Sequence, residues 1–172
     1  MKRTDLYAPQ WVSADQEPDE LWTEILPGLW MGGTDDEDWL NTQKELSDFE
    51  HNIPFQSVVT LFAWAHPMPW GVEEVRWGVA DGAMHHVDEQ RLHRIAEWAY
   101  DRWQAGDKVL IRCQAGMNRS GLVTALVLMR ANYTAAEAIA LLREQRSEVV
   151  LFNNHFVDYL VSLDPTEKTA SN

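Results

Sequence analysis

At 172 residues, with 45% hydrophobic and 24% charged side chains, the chain is sized for one globular domain with a substantial core and is neither disordered nor collagen-like. Fourteen Lys and Arg against 27 Asp and Glu leave a formal charge of −13, which argues against nucleic acid or anionic lipid as partners unless basic residues gather in one place. The single cysteine, Cys113, excludes an internal disulfide and a multi-thiolate zinc site, and no apolar run reaches the roughly 20 residues of a membrane helix, so a cytoplasmic protein is expected.

In chain order, residues 1–20 are polar, end in an acidic stretch, and read as an extension, with Tyr7 and Trp11 as possible pins. The folded unit is expected over residues 21–163. It opens with two short strands around the Pro27-Gly28 break, Leu21 to Leu26 and Leu29 to Met31. Thr34-Asp35-Asp36-Glu37 has the form of a capping box, in which hydroxyl and carboxylate satisfy free amides, and predicts a helix to about Asp48. Ser57 to Phe62 is apolar and β-branched, as a buried strand should be, and Val72 to Val79 is a second strand.

After Asp88, the residues Leu92, Ile95, Ala96, Ala99 and Trp103 recur at helical spacing until Gly106. Lys108-Val109-Leu110-Ile111 is a short buried strand, and Gly121 to Arg130 is apolar on all sides, hence an enclosed helix. A second capping box, Thr134-Ala135-Ala136-Glu137, starts a further helix, Asn154 to Leu163 forms another, and Asp164 to Asn172 is a polar tail. Strands alternating with helices, then helices alone, indicate an α/β fold with a central, mostly parallel sheet flanked by helices.

The segment Arg112 to Gly121 is therefore a turn from a buried strand into an enclosed helix. Residues 114–119, Gln114-Ala115-Gly116-Met117-Asn118-Arg119, contain no proline, so successive amides are available to an anion, and Gly116 permits the backbone angles needed to wrap around one. The helix N-terminus beyond the loop favours negative charge, whether a bound phosphate or the Cys113 thiolate. Arg119 has the planar fork that matches two phosphoryl oxygens, and Ser120 can donate to the sulfur. A buried structural cysteine at a helix start is the simpler alternative.

Cys113-x5-Arg119-Ser120 between such a strand and helix resembles the signature of the cysteine-dependent protein tyrosine phosphatases, closest to the compact dual-specificity type. The resemblance extends from about Trp22 to Leu163. Ile25 to Gly32 is similar to the family's opening segment. Arg146 with Phe152-Asn153-Asn154-His155-Phe156 is similar to its closing segment, Phe152 standing where Pro is usual. Arg112 departs from the family, which usually has His before the cysteine. Because side chains alternate along a strand, Arg112 is expected to face away from the phosphate if Cys113 faces it.

The resemblance implies a phosphomonoester hydrolase with no cofactor and no metal, acting on a phosphorylated protein or peptide. Cys113 would be the nucleophile, with residues 114–119 and Arg119 as phosphate ligands and Ser120 assisting. It also implies an Asp proton donor on a loop upstream of the cysteine. Asp81, just beyond the predicted Val72 to Val79 strand, fits; Asp88 is the alternative, although its position suits a helix N-cap. His66, His85, His86 and His93 lack the spacing of a known metal site. Trp64 to Trp70, on the loop after a central strand, is read as a substrate wall or as a packed loop, and Arg91 and Arg94 as solvated helix residues. Two other readings are a catalytically weak phosphate-binding module and an RNA 5′-triphosphatase, whose loop Gly116-Met117-Asn118-Arg119-Ser120 also resembles.

Overall fold

The computed structural model describes residues 6, 7, 13, 16, 18, 20–34 and 53–164. Five strands run among them: β1 (Trp22–Leu26), β2 (Leu29–Gly32), β3 (Ser57–Thr60), β4 (Glu73–Arg76) and β5 (Val109–Arg112). Four helices follow the sequence pattern: α1 (Glu89–Gln104), α2 (Arg119–Arg130), α3 (Ala135–Gln145) and α4 (Asn154–Ser162). The expected helix beyond Thr34 as far as Asp48, Trp11 and most of the polar tail lie outside the described residues. No described helix is long and apolar enough to cross a membrane.

The sheet order is β1-β2-β5-β3-β4, antiparallel only at the β1–β2 hairpin. β5 is thus the central strand, which explains why all four of its residues are buried. Parallel register aligns Gly32, Arg112 and Thr60 at the ends of β2, β5 and β3, so the chain leaves all three strands on one edge of the sheet. That edge is where open parallel sheets bind ligands.

Strand alternation divides the sheet into two faces. Val59, Val109 and Ile111 join the main core beneath the helices, together with the Leu92, Ile95, Ala96 and Ala99 stripe of α1. Val58 and Leu110 point the other way and are covered by Phe55, against which Trp22 and Trp30 pack edge-on at 5.1 and 5.7 Å between ring centroids. Part of the tryptophan excess therefore closes the back of the sheet. α2 is enclosed as its composition requires, with every residue from Ser120 to Leu128 buried. Leu6 also joins the main core, and the Tyr7 hydroxyl donates to Asp158.

Several boundaries differ from expectation, β5 among them, which runs one residue later than expected. β3 ends at Thr60 and β4 spans only Glu73–Arg76, because the apolar residues beyond them enter loops instead of continuing the ladder. α2 starts at Arg119, two residues early, so Arg119 and Ser120 belong to its first turn. The Thr134 capping box is present in full: the hydroxyl accepts from Glu137 N and the Glu137 side chain accepts from Thr134 N.

Candidate active site

Cys113 follows Val109 and Ile111 on the helix side of β5 and is buried, with its sulfur 3.3 Å from Ser120 Oγ in the first turn of α2. The loop between them rests on the β2 end of the sheet: Cys113 N donates to Gly32 O at 3.2 Å and Thr34 N to Gln114 O at 2.9 Å. Gly116 adopts φ +67, and a Cβ there would lie 2.3 Å from the Gly32 carbonyl carbon, so the close approach of these two backbones requires glycine. Arg146, at the end of α3, clamps the loop from outside. Its Nε donates to Gly116 O at 2.7 Å while Nη1 holds Thr23 Oγ1 at 2.9 Å. Burial pushes the Arg146 guanidinium down to about 10, with attraction to Cys113 and Glu20 opposing.

Among the described residues, the N–H groups of 114–118 donate to no protein acceptor. Gln114 and Ala115 are exposed, whereas Met117 and Asn118 are buried at 3%. A run of unpaired amides at the start of a helix is a seat for an anion. Arg119 ends the same loop and opens α2. Its guanidinium lies 5.4 Å from the Phe62 ring centroid and Nη1 donates to Val79 O at 3.4 Å, but its buried Nε has no hydrogen-bond partner. An orphaned buried charge-bearing donor is costly unless a ligand supplies the acceptor.

Asp81 lies in the irregular stretch after β4, and its carboxylate meets the loop through Asn118, whose Nδ2 donates to Oδ2 at 3.1 Å. Asn153, the N-cap of α4, donates to the other oxygen at 2.9 Å. Asp88 is elsewhere, capping α1 by accepting from Arg91 N at 3.0 Å. Cysteine, hydroxyl, arginine, unpaired amides and a carboxylate thus converge on one end of β5.

Residues 35–164 match the family model described as "Dual specificity phosphatase, catalytic domain". This chain belongs to the dual specificity phosphatases. It is 30% identical over 143 residues, 83% of its length and 91% of the other's, to the protein named "Putative tyrosine phosphatase 123R" of Invertebrate iridescent virus 6. Its fold is similar to that of human DUSP28, with TM-score 0.67 and 20% identity over 87% of this chain and 97% of that one. It is also similar to Tk-PTP in the active form, with TM-score 0.65 and 23% identity over 84% and 99%.

In this phosphatase, Arg112 faces the back of the sheet. In parallel register, residues 58 and 60, 74 and 76, and 110 and 112 share one face, and there Arg112 donates through Nε to Thr60 Oγ1 at 2.9 Å and through Nη2 to Glu74 Oε1 at 3.2 Å and to His66 O. Arg76 joins from β4, to Glu74 Oε1 at 2.9 Å and Ala65 O at 2.6 Å. Burial alone would raise the Glu74 carboxyl, but hydrogen bonds from Thr60 and the Met68 amide and the two guanidiniums hold it below its usual value. Arg112 is lowered by burial, with Glu74 opposing.

The same network holds residues 65–68 of the tryptophan loop from beneath. Trp64, 84% exposed, follows Phe62 at the phosphate-loop end; Trp70 lies three residues before β4, towards the opposite end of the strands, so the 64–70 tract as a whole does not line the site. The His85 and His86 rings lie tilted with centroids 3.8 Å apart, His93 Nε2 meets the Tyr159 hydroxyl at 2.9 Å, and no metal-binding cluster occurs among the described residues. The Arg91 guanidinium covers Trp77 at 5.2 Å. Sequence reasoning did not anticipate the roles of the Asn118 and Asn153 side chains or of Arg146. All three lay within the quoted motifs, but no spacing tied them to Asp81 or to Gly116.

Proposed function

We propose that this phosphatase hydrolyses phosphomonoesters through a cysteinyl-phosphate intermediate. The Cys113 sulfur attacks phosphorus, forming the S–P bond as the ester P–O bond breaks, and Asp81 delivers its proton to the departing oxygen. The amides of 114–119 and the Arg119 fork hold the three phosphoryl oxygens as charge spreads over them. Water, deprotonated by Asp81, then attacks phosphorus; the S–P bond breaks and the Ser120 hydroxyl, 3.3 Å from the sulfur, stabilises the leaving thiolate. The single observation that supports this most is the buried, unpartnered Arg119 Nε beside five unpaired amides and the only cysteine.

Phosphotyrosine in proteins or peptides is the proposed substrate, in keeping with the name of the viral relative. Turnover of p-nitrophenyl phosphate in EDTA, abolished in Cys113→Ser, is the expected result. Binding of phosphate without turnover by the wild type would favour a recognition module instead. Parallel assays on phosphotyrosine, phosphoserine and triphosphate-ended RNA rank the substrates, and a preference for RNA would overturn the ranking.

A further inference from the structure

We infer that Asn118 and Asn153 are positioning residues that hold Asp81 at the mouth of the phosphate loop before any substrate arrives; this rests on the reading of Asp81 as the proton donor. Asp81 is exposed and belongs to no helix or strand, and a carboxylate on such a segment has little of its own to keep it in place. Two amides supply what the backbone does not. Asn118 Nδ2 donates to Oδ2 at 3.1 Å, and Asn153 Nδ2 donates both to Oδ1 at 2.9 Å and to Gly82 O at 3.1 Å.

The two asparagines are themselves fixed. Asn118 is 3% exposed, and its Oδ1 accepts from Asn153 N at 3.0 Å. Asn153 Oδ1 accepts from His155 N at 3.1 Å as the cap of α4. With the carbonyl of each facing a backbone N–H and the amino group facing carboxyl or carbonyl oxygens, each amide has a single workable orientation. Three segments far apart in sequence are therefore tied at one point: the phosphate loop, the Asp81 segment and the start of α4. Arg119 Nη1 on Val79 O adds a second tie between the first two. The donor is placed by the resting structure rather than by closure of a loop over substrate, a form of preorganisation.

The test uses kcat/KM for aryl phosphates of graded leaving-group acidity, since this quantity reports the first chemical step. Asn153→Ser keeps a capping oxygen on α4 but removes the amide donor. Asn118→Ala removes the other donor. Asn153→Ser is expected to lower kcat/KM about tenfold for phenyl phosphate and less than about twofold for 2,4-dinitrophenyl phosphate, whose leaving group needs no proton; Asn118→Ala, in the phosphate loop itself, is expected to lose activity on both esters but several-fold more on phenyl phosphate. Affinity for inorganic tungstate should not change in Asn153→Ser. Adding Asn153→Ser to Asp81→Asn should cost nothing further, because a residue that acts through Asp81 has nothing left to position. Equal losses on both esters, or a further loss in the double variant, overturn the inference. If Asp81→Asn itself has the wild-type dependence on leaving group, the assignment of Asp81 fails instead.

Discussion

Arg112 and Arg119 stand one residue before and six after the same cysteine, and the fold uses them oppositely. Arg112 lies on the back of the sheet with Nε on Thr60 and Nη2 shared between Glu74 and His66 O. Arg119 lies at the front with one long bond to Val79 O, an aromatic face against it, and a buried Nε without a partner. The paired guanidinium is structural: its charge is spent on a carboxylate and on carbonyls that hold the 65–68 backbone. The under-paired one is the phosphate ligand of the proposed mechanism. Identity of side chain and nearness in sequence to the nucleophile do not distinguish the two. The side of the sheet on which each lies does.

The largest effect should separate them most sharply. Arg119→Ala is expected to lower kcat/KM for p-nitrophenyl phosphate about 10³-fold, with the thermal midpoint little changed, since the lost donors stabilise charge only when substrate is bound. A loss no greater than that of Arg112→Ala would erase the distinction. Next, Gly116→Ala should abolish tungstate binding and destabilise by about 2–3 kcal/mol, because φ +67 is strained for alanine and its methyl would meet the Gly32–Gly33 backbone. Calorimetry with and without tungstate reads both.

Arg112→Ala should reverse the Arg119 pattern. Removing one partner from a buried pair strands the other, so a stability loss of about 3 kcal/mol is expected in urea titrations, with a smaller effect on oxyanion affinity than Arg119→Ala has. The Glu74 side adds a pH test. Its carboxyl is held below the usual value of 4.5, so its contribution is present above that pH and is lost as pH falls through the lowered folded-state value. The stability gap between wild type and Glu74→Gln should therefore narrow on acidification, and a constant gap from pH 7 to pH 3 would contradict the pairing. The smallest effect is the control: Thr134→Ala removes the capping hydroxyl of α3 and should cost about 1 kcal/mol with kcat/KM unchanged.

Much of the architecture was legible because it rests on short-range rules. The β1–β2 hairpin around Pro27-Gly28, the α1 stripe from Leu92 to Ala99, the enclosed α2 and the Thr134 cap each follow from periodicity, turn chemistry or a reciprocal hydrogen bond within a few residues. The Cys113-x5-Arg119-Ser120 loop was legible for the same reason, its residues being neighbours in the chain. Alternation along β5 even predicted that Arg112 would turn away from the loop. What sequence could not supply was the partner at the far end. Arg112 reaches Glu74 across 38 positions and Asn153 reaches Asp81 across 72. Arg146 reaches Gly116 across 30. Those meetings depend on strand order and on the parallel register that sets Thr60 and Gly32 beside Arg112, and no local pattern encodes either. The sequence by itself thus determined the Cys113 loop and the elements flanking it; the tertiary structure decided what Arg112 is spent on, which aspartate stands at the mouth and what holds it there. The physical reason is range: propensities and caps act within a turn or two, while the ties that place Asp81 join segments that only the packed sheet brings together.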